Sequence, residues 1–259
     1  MQQFFEYMLV DDICLITKHL NSPSATCPVV IGCLNPHSFV EALDDEAFHQ
    51  ALRGCTYLLP DGDGICLALK RYRSITLGKI AGDDLHRHLL AALGQRGGKV
   101  YYMGSSEKVL SLIRRRIAAE HPTLQVRTYE PSFCDELGDD ESRRIIADIN
   151  SYAPDLLFVS MTAPKQEKWV EKHRKQLTGV KIVASIGAAF DFYAGTVKRV
   201  PAWALRLRLE WLVRLLKEPR RMWHRNFVST PRFLRYLRKN SNFITTNSQT
   251  KSKCPSSAN

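Results

Sequence analysis

The segment LPDGDG at residues 59–64 places two carboxylates, Asp61 and Asp63, on a glycine-rich turn. Such a pair suits a metal ion, or one carboxylate acting as a base beside a solvated neighbour. Only these two acids cluster, which is a thin ligand set for a divalent cation. Asp and Gly are also the residues an ordinary turn prefers, so the base, the metal ligand and the plain turn all stand at this point.

Three more segments carry chemistry-bearing residues. MGSS at 103–106 leads into a helix, where backbone N–H groups and the helix dipole could hold a diphosphate. The same residues also suit a plain turn capped by Ser. The full GxGxxG fingerprint is absent, which disfavours a nicotinamide cofactor. AGDD at 81–84 opens a helix whose dipole accounts for Asp84, whereas for Asp83 that role competes with ligand binding. In TAPKQE at 162–167, Thr162 is expected to cap, Pro164 suits a first turn, and Glu167 falls near that turn. Lys165 and Gln166 add nothing to a helix start, and both suit hydrogen bonds to phosphate or a uracil-type base.

These segments must be positioned by regular elements. Apolar or β-branched runs at 28–34, 56–59, 99–103, 124–129, 155–160 and 180–185 read as strands. Helical patterns fill 38–52, from about 65, 83–93, 107–119, 140–152 and 166–176. The alternation predicts an α/β, Rossmann-like and mostly parallel sheet flanked by helices, with a catalytic body over 1–195. Ligands of such sheets lie beyond the carboxyl ends of the strands, so the loops at Asn35, Asp61, Gly104, Thr162 and Gly187 are the ones to watch.

Past Thr196 the pattern becomes helical only. Residues 196–240 hold thirteen Lys or Arg against two acids, Glu210 and Glu218, an excess equal to the net charge of +11. The body is therefore near neutral and the charge is concentrated in an arm. Trp203, Leu207, Trp211, Leu215 and Leu216 mark an apolar stripe among Arg206, Arg208, Arg214, Lys217 and Arg220. A basic amphipathic helix with Trp is suited to an anionic membrane surface, and equally to packing on the body or on a partner subunit. The polar stretch 241–259 is expected to be disordered. Seven scattered cysteines without CxxC spacing read as free thiols in a reducing cytoplasm. The N-terminus has no basic region before Asp11 and Asp12, and no window reaches the roughly 20 apolar residues of a membrane span.

Six segments in order resemble the WecG/TagA/CpsF family of bacterial glycosyltransferases: LPDGDGI, AGDDL, YYMGSS, VSMTAPKQEKWV, SIGAAFDFYAGTVKRVPAW and LEWLVRLLKEPRR. The resemblance runs over about residues 30–227. It implies an inverting transfer without metal or other cofactor, from a UDP-sugar donor to an undecaprenyl-diphosphate-linked saccharide, in cell-surface polysaccharide synthesis. It implies a peripheral place on the inner face of the cytoplasmic membrane, and leaves room for an equilibrium between monomer and homo-oligomer. Asp61 matches the aspartate proposed as general base. Asn35, Gly82, Asp83, Gly104, Gln166 and Asp191 match substrate-pocket positions. Cys33 stands where relatives often have Thr, and His224 where some have Arg.

Departing diphosphate gathers negative charge, which cations must stabilise where no metal does. Arg214 and Arg221 lie seven apart, on one face if the helix persists through Pro219, and Arg225 follows a turn later. A nucleic-acid-binding module is the alternative, since basic and aromatic residues interleave in the arm. The charge is confined to that arm, however, and no nucleic-acid motif accompanies it. An oxidoreductase or an inactive scaffold fits the glycine pattern and the polar loops less well.

Overall fold

A computed structural model describes residues 7, 9–10, 12–21, 27–73, 76–197, 210–217, 219 and 223–239, apart from the side chains of 72, 73, 210, 211, 214 and 217. Six strands form one sheet: β1 (Val29–Leu34), β2 (Tyr57–Pro60), β3 (Gly98–Gly104), β4 (Leu124–Tyr129), β5 (Leu156–Ser160) and β6 (Ile182–Ser185). Their order is β2-β1-β6-β5-β3-β4, and every pairing is parallel. The helices of the body are α1 (Ile13–Thr17), α2 (Pro36–Asp44), α3 (Glu46–Gly54), α4 (Asp63–Arg73), α5 (Gly82–Gly94), α6 (Glu107–Glu120), α7 (Asp139–Tyr152), α8 (Lys165–His173) and α9 (Ala189–Ala194). Two further helices belong to the arm, α10 (Glu210–Lys217) and α11 (Thr230–Lys239), with a π-helical turn over His224–Ser229 between them.

Apart from edge strand β4, where Gln125 and Arg127 are exposed, the strands are apolar on both faces because helices cover both. Alternate side chains go to opposite layers. Val100, Tyr102, Leu156 and Phe158 pack with Leu89 of α5, Ile113 of α6 and Phe190 of α9. Their neighbours Tyr101, Met103, Leu157 and Val159 pack with Ile149 of α7 and Val170 of α8. In the first layer His86 is fully buried, its Nε2 2.7 Å from the Tyr102 hydroxyl. Burial disfavours its charged form and brings its pKa down to about 3, so the imidazole is neutral.

A third cluster lies at the β2 edge of the sheet, where Leu34, Phe39, Phe48, Leu58 and Ile65 pack together. Phe233 and Leu237 of α11 belong to it, and Phe233 meets Phe39 edge-on at 5.1 Å. Burying two such side chains stabilises the docked helix by about 1.5–3 kcal/mol each. Arg232 adds a two-pronged pair to Asp44, with Nη2 2.6 Å from Oδ1. The last part of the arm therefore packs on α2 and its surroundings.

Two local expectations need correction. The single helix over 38–52 is two helices, because Asp45 is extended (φ −129°, ψ 96°) and its carboxylate accepts from the Phe48 N–H at 3.0 Å, capping α3. Thr162 does not cap α8; Pro164 occupies the cap position, and it is the Thr162 carbonyl that accepts from the Lys165 N–H at 3.0 Å.

Candidate active site

β3 sends its chain outward to β4, whereas its neighbour β5 sends its chain inward to β6. The connections thus diverge between β3 and β5, and such a switch point opens a crevice at the carboxyl edge of the sheet. A cleft of about 1690 Å³ lies there, with lining residues from the carboxyl end of all six strands. Asn35, Asp61, Gly82, Asp83, Lys165, Gln166, Asp191 and Arg225 all line it. The expected site residues are brought together from segments far apart in the chain.

The strand ends are tied to one another. Gly104 has φ +117°, and a Cβ there would lie 2.0 Å from the Ser160 carbonyl oxygen, so only glycine fits. The Ser105 N–H then donates to that same carbonyl at 3.1 Å, and the Ser160 hydroxyl donates to the Gly187 carbonyl at 2.6 Å. Gly104 itself is not among the lining residues; it shapes the bend that presents Ser105 and Ser106 to the cleft. Ser106 takes the cap position of α6, as the plain-turn alternative has it, but makes no side-chain bond to the helix.

Asn35 caps α2. Its Oδ1 accepts from the His37 and Ser38 N–H groups, both at 3.0 Å, and the Ser38 hydroxyl donates to the Asn35 carbonyl. The carboxamide oxygen is committed, which leaves its NH2 for a ligand. Asp61 follows directly on β2 and is half-buried; its N–H donates to the Leu34 carbonyl at 2.9 Å. Gly82 admits close packing of α5, since a Cβ would come within 3.0 Å of the Ile186 carbonyl oxygen. Asp83 is buried and its Oδ2 accepts from Arg87 Nε at 3.1 Å.

Gln166 is buried and committed to the protein at both ends. Its Oε1 accepts from the Met161 N–H at 3.1 Å and its Nε2 donates to Glu167 Oε1 at 2.7 Å. Lys165 reaches across the cleft wall to donate to the Cys134 carbonyl at 2.6 Å. Asp191 accepts from the Thr196 hydroxyl at 3.1 Å, which fastens the turn after α9.

Of the three arginines expected from the arm, Arg225 lines the cleft. Arg221 lies outside the described residues, as do Trp203, Arg206, Leu207, Arg208 and Arg220, and the side chain of Arg214 is likewise not described. Arg225 sits in the π-helical turn over His224–Ser229. The described part of the arm exposes Leu216, Trp223, Phe227 and Val228, with the Trp223 and Phe227 rings tilted against each other at 4.5 Å.

Three features escaped the reading of the sequence. Glu167 lines the cleft and is only 5% exposed, with a carboxyl that burial pushes up to about 7. It was legible only as a helix-start acid, although its spacing of three from buried Val170 puts both on one helical face. Phe133 stands fully exposed on the β4–α7 loop, where it offers a flat apolar surface to a ligand. Among the described residues one group could hold a metal ion: His37 and Glu41, a turn apart on α2, and His224 of the arm, whose ligand atoms lie within 4.8 Å of one another. His37 Nδ1 is also 2.9 Å from the Ser229 hydroxyl, so the group joins the arm to the body.

Chemically, the cleft combines carboxylates on α2, after β2 and at the start of α5 with cations at Lys165 and Arg225. It can take a proton from a hydroxyl at one place and neutralise a phosphate at another.

Comparison with known proteins points the same way. The family model described as "Glycosyl transferase WecG/TagA/CpsF family" matches residues 11–246. The chain is 29% identical to an N-acetylglucosaminyldiphosphoundecaprenol N-acetyl-beta-D-mannosaminyltransferase of Bacillus subtilis (strain 168), over 79% of this chain and 77% of that protein. It is 30% identical to a protein of the same name from Bacillus spizizenii, over 77% and 75% respectively. A third of that name, from Staphylococcus aureus (strain MW2), is 26% identical over 76% of each.

Proposed function

The chain belongs to the WecG/TagA/CpsF family of glycosyl transferases, and from that premise we propose that it moves a hexose or N-acetylhexosamine-type sugar, with inversion, from a UDP-sugar to an undecaprenyl-diphosphate-linked saccharide. The names of its relatives favour N-acetylmannosamine as the sugar and N-acetylglucosaminyl-diphosphoundecaprenol as the acceptor. The observation that carries this reading is the convergence of the family's motif residues, from loops after separate strands, on one cleft large enough for a sugar nucleotide and a second sugar.

In this reading the acceptor hydroxyl attacks the anomeric carbon on the face opposite UDP. Its proton passes to the Asp61 carboxylate as the new C–O bond forms. The bond from the anomeric carbon to the β-phosphate oxygen breaks, and its electron pair leaves with UDP. Lys165 and Arg225 face the charge that gathers on the diphosphate. The Asn35 NH2 donates to a sugar oxygen. Gln166 acts indirectly by holding the loop and Glu167, while Asp83, fixed by Arg87, and Asp191, fixed by Thr196, form polar walls. Arg214 and Arg221 complete the cationic side.

No described helix is long and apolar enough to cross a membrane. The exposed Leu216, Trp223, Phe227 and Val228 beside a basic arm support contact with an anionic bilayer surface, where the lipid-linked acceptor resides. The reading is tested by incubating the protein with a panel of UDP-sugars and N-acetylglucosaminyl-diphosphopolyprenol in phosphatidylglycerol vesicles. Product is read by mass spectrometry, and bound protein by sedimentation. One UDP-sugar should give a disaccharide lipid while the protein pellets with the vesicles. Absence of product from every donor would remove the activity, and protein left in the supernatant would remove the membrane contact.

A further inference from the structure

Two carboxyls approach the β1–β2 end of the cleft in unlike settings. Asp61 is half-buried on the turn after β2, whereas Glu167 is almost wholly covered at the start of α8. Glu167 Oε1 accepts from Gln166 Nε2 at 2.7 Å, but its Oε2 is buried with no hydrogen-bond partner. An ionised carboxylate in that state would leave one oxygen unsolvated, which is costly. Both carboxyls act on Cys33, whose thiol is pushed well up by burial first, and then by Asp61 and Glu167. Cys55, before β2, adjoins Glu167 and also Glu171 and Arg174, further along from Glu167. Arg174 is taken up by Glu171 and the Gly54 carbonyl, and Lys168 by Asp45, so among the described residues neither of these cations is paired with Glu167.

We propose that Glu167 is a positioning residue that serves the reaction in its protonated form, so that it adds no further negative charge to the cleft that Asp61 lines. The inference rests on the glycosyl-transfer reading and adds to it a division of labour between two carboxyls, of the kind that unlike environments create. Asp61 ionised is a base; Glu167 neutral adds no charge to the same cleft. Once Glu167 loses its proton, a further, buried anion opposes both the negative charge growing on the diphosphate and the ionisation of Asp61.

The sign of the pH dependence follows. The folded-state value of Glu167 is raised from 4.5 to about 7, so the neutral form prevails below about 7 and the anion above it. kcat/KM should fall on the alkaline side with a midpoint near 7. Glu167→Gln keeps an oxygen to accept from Gln166 and cannot ionise. It should retain activity within about threefold at pH 6, lack the alkaline fall, and overtake the wild type by pH 8.5. A native-like Tm with no turnover at pH 6 would show that Glu167 acts as an anion. An unchanged alkaline fall in the variant would assign the titration to another group. Either result overturns the proposal.

A second readout does not depend on turnover. The folded protein holds this proton more tightly than the unfolded chain does, so stability declines as pH rises from about 4.5 to about 7. The wild-type Tm should therefore drop relative to Glu167→Gln between pH 5 and pH 8. Parallel Tm curves would overturn the buried proton even if no donor sugar were turned over. A wild type inactive with every donor would instead overturn the transfer reading, and with it the role of this residue.

Discussion

The strand-end loops and the C-terminal arm both contribute side chains to one cleft, and they are fixed by opposite means. On the body, several polar residues are secured by short-range backbone geometry: Asn35 by its cap on α2, Asp61 by its place directly after β2, and Gln166 by the Met161 N–H. The arm arrives from far along the chain, and its footing is apolar, through Phe233 and Leu237 among the aromatic residues of α2 and α3. A site residue on the body can therefore change without unsettling the fold. In the arm, loss of an anchor remote from the cleft displaces what the arm presents there.

Asp61→Asn gives the sharpest form of that contrast. It should lower kcat by about 10²–10⁴-fold, the usual worth of a general base, with little change in Tm. Turnover within a few-fold of wild type would remove Asp61 as the base. Phe233→Ala tests the other side. It should cost about 3–5 kcal/mol in denaturant unfolding, as a buried aromatic does, and lower activity through misplacement of Arg225. A variant of unchanged stability would mean that α11 is not part of the core. The smallest effect is expected from Arg232→Ala. Arg232 and Asp44 are substantially exposed and screened by solvent, so the pair should contribute about 0.5 kcal/mol, and less in 0.5 M salt. A loss of several kcal/mol would move the footing of the arm from apolar contact to charge.

The same division sets what could be read from the sequence. The strands were legible because β-branched runs alternate with helical spacing, and β4 falls on the expected residues 124–129. The loops at their carboxyl ends were legible because a parallel sheet leaves no other edge for a ligand. Cooperation between distant side chains was not. Nothing in local pattern says that Asp45 is extended and splits one helix into two, since Asp is only a moderately poor helix residue. Glu167 looks like any acid in a first turn until the fold covers it, because burial and a missing partner are tertiary facts. In the arm, the stripe could be seen but not its use: spacing gives an apolar face and leaves open whether lipid or protein meets it. Phe233 and Leu237, which lie beyond that stripe, are the arm residues that pack on the body core.

The order of the strands also bears on how the molecule assembles. β6 lies between β1 and β5, and it joins the β2-β1 pair to the β5-β3-β4 group. Until residue 185 has left the ribosome, the nascent chain can form only two separate half-sheets, each with an open edge waiting for the strand not yet made. The halves of the cleft cannot face each other before that strand inserts, and such long-range closure is slow relative to local helix formation. A chain that terminates early would thus be inert toward sugar nucleotides and prone to pair its exposed edges with another copy.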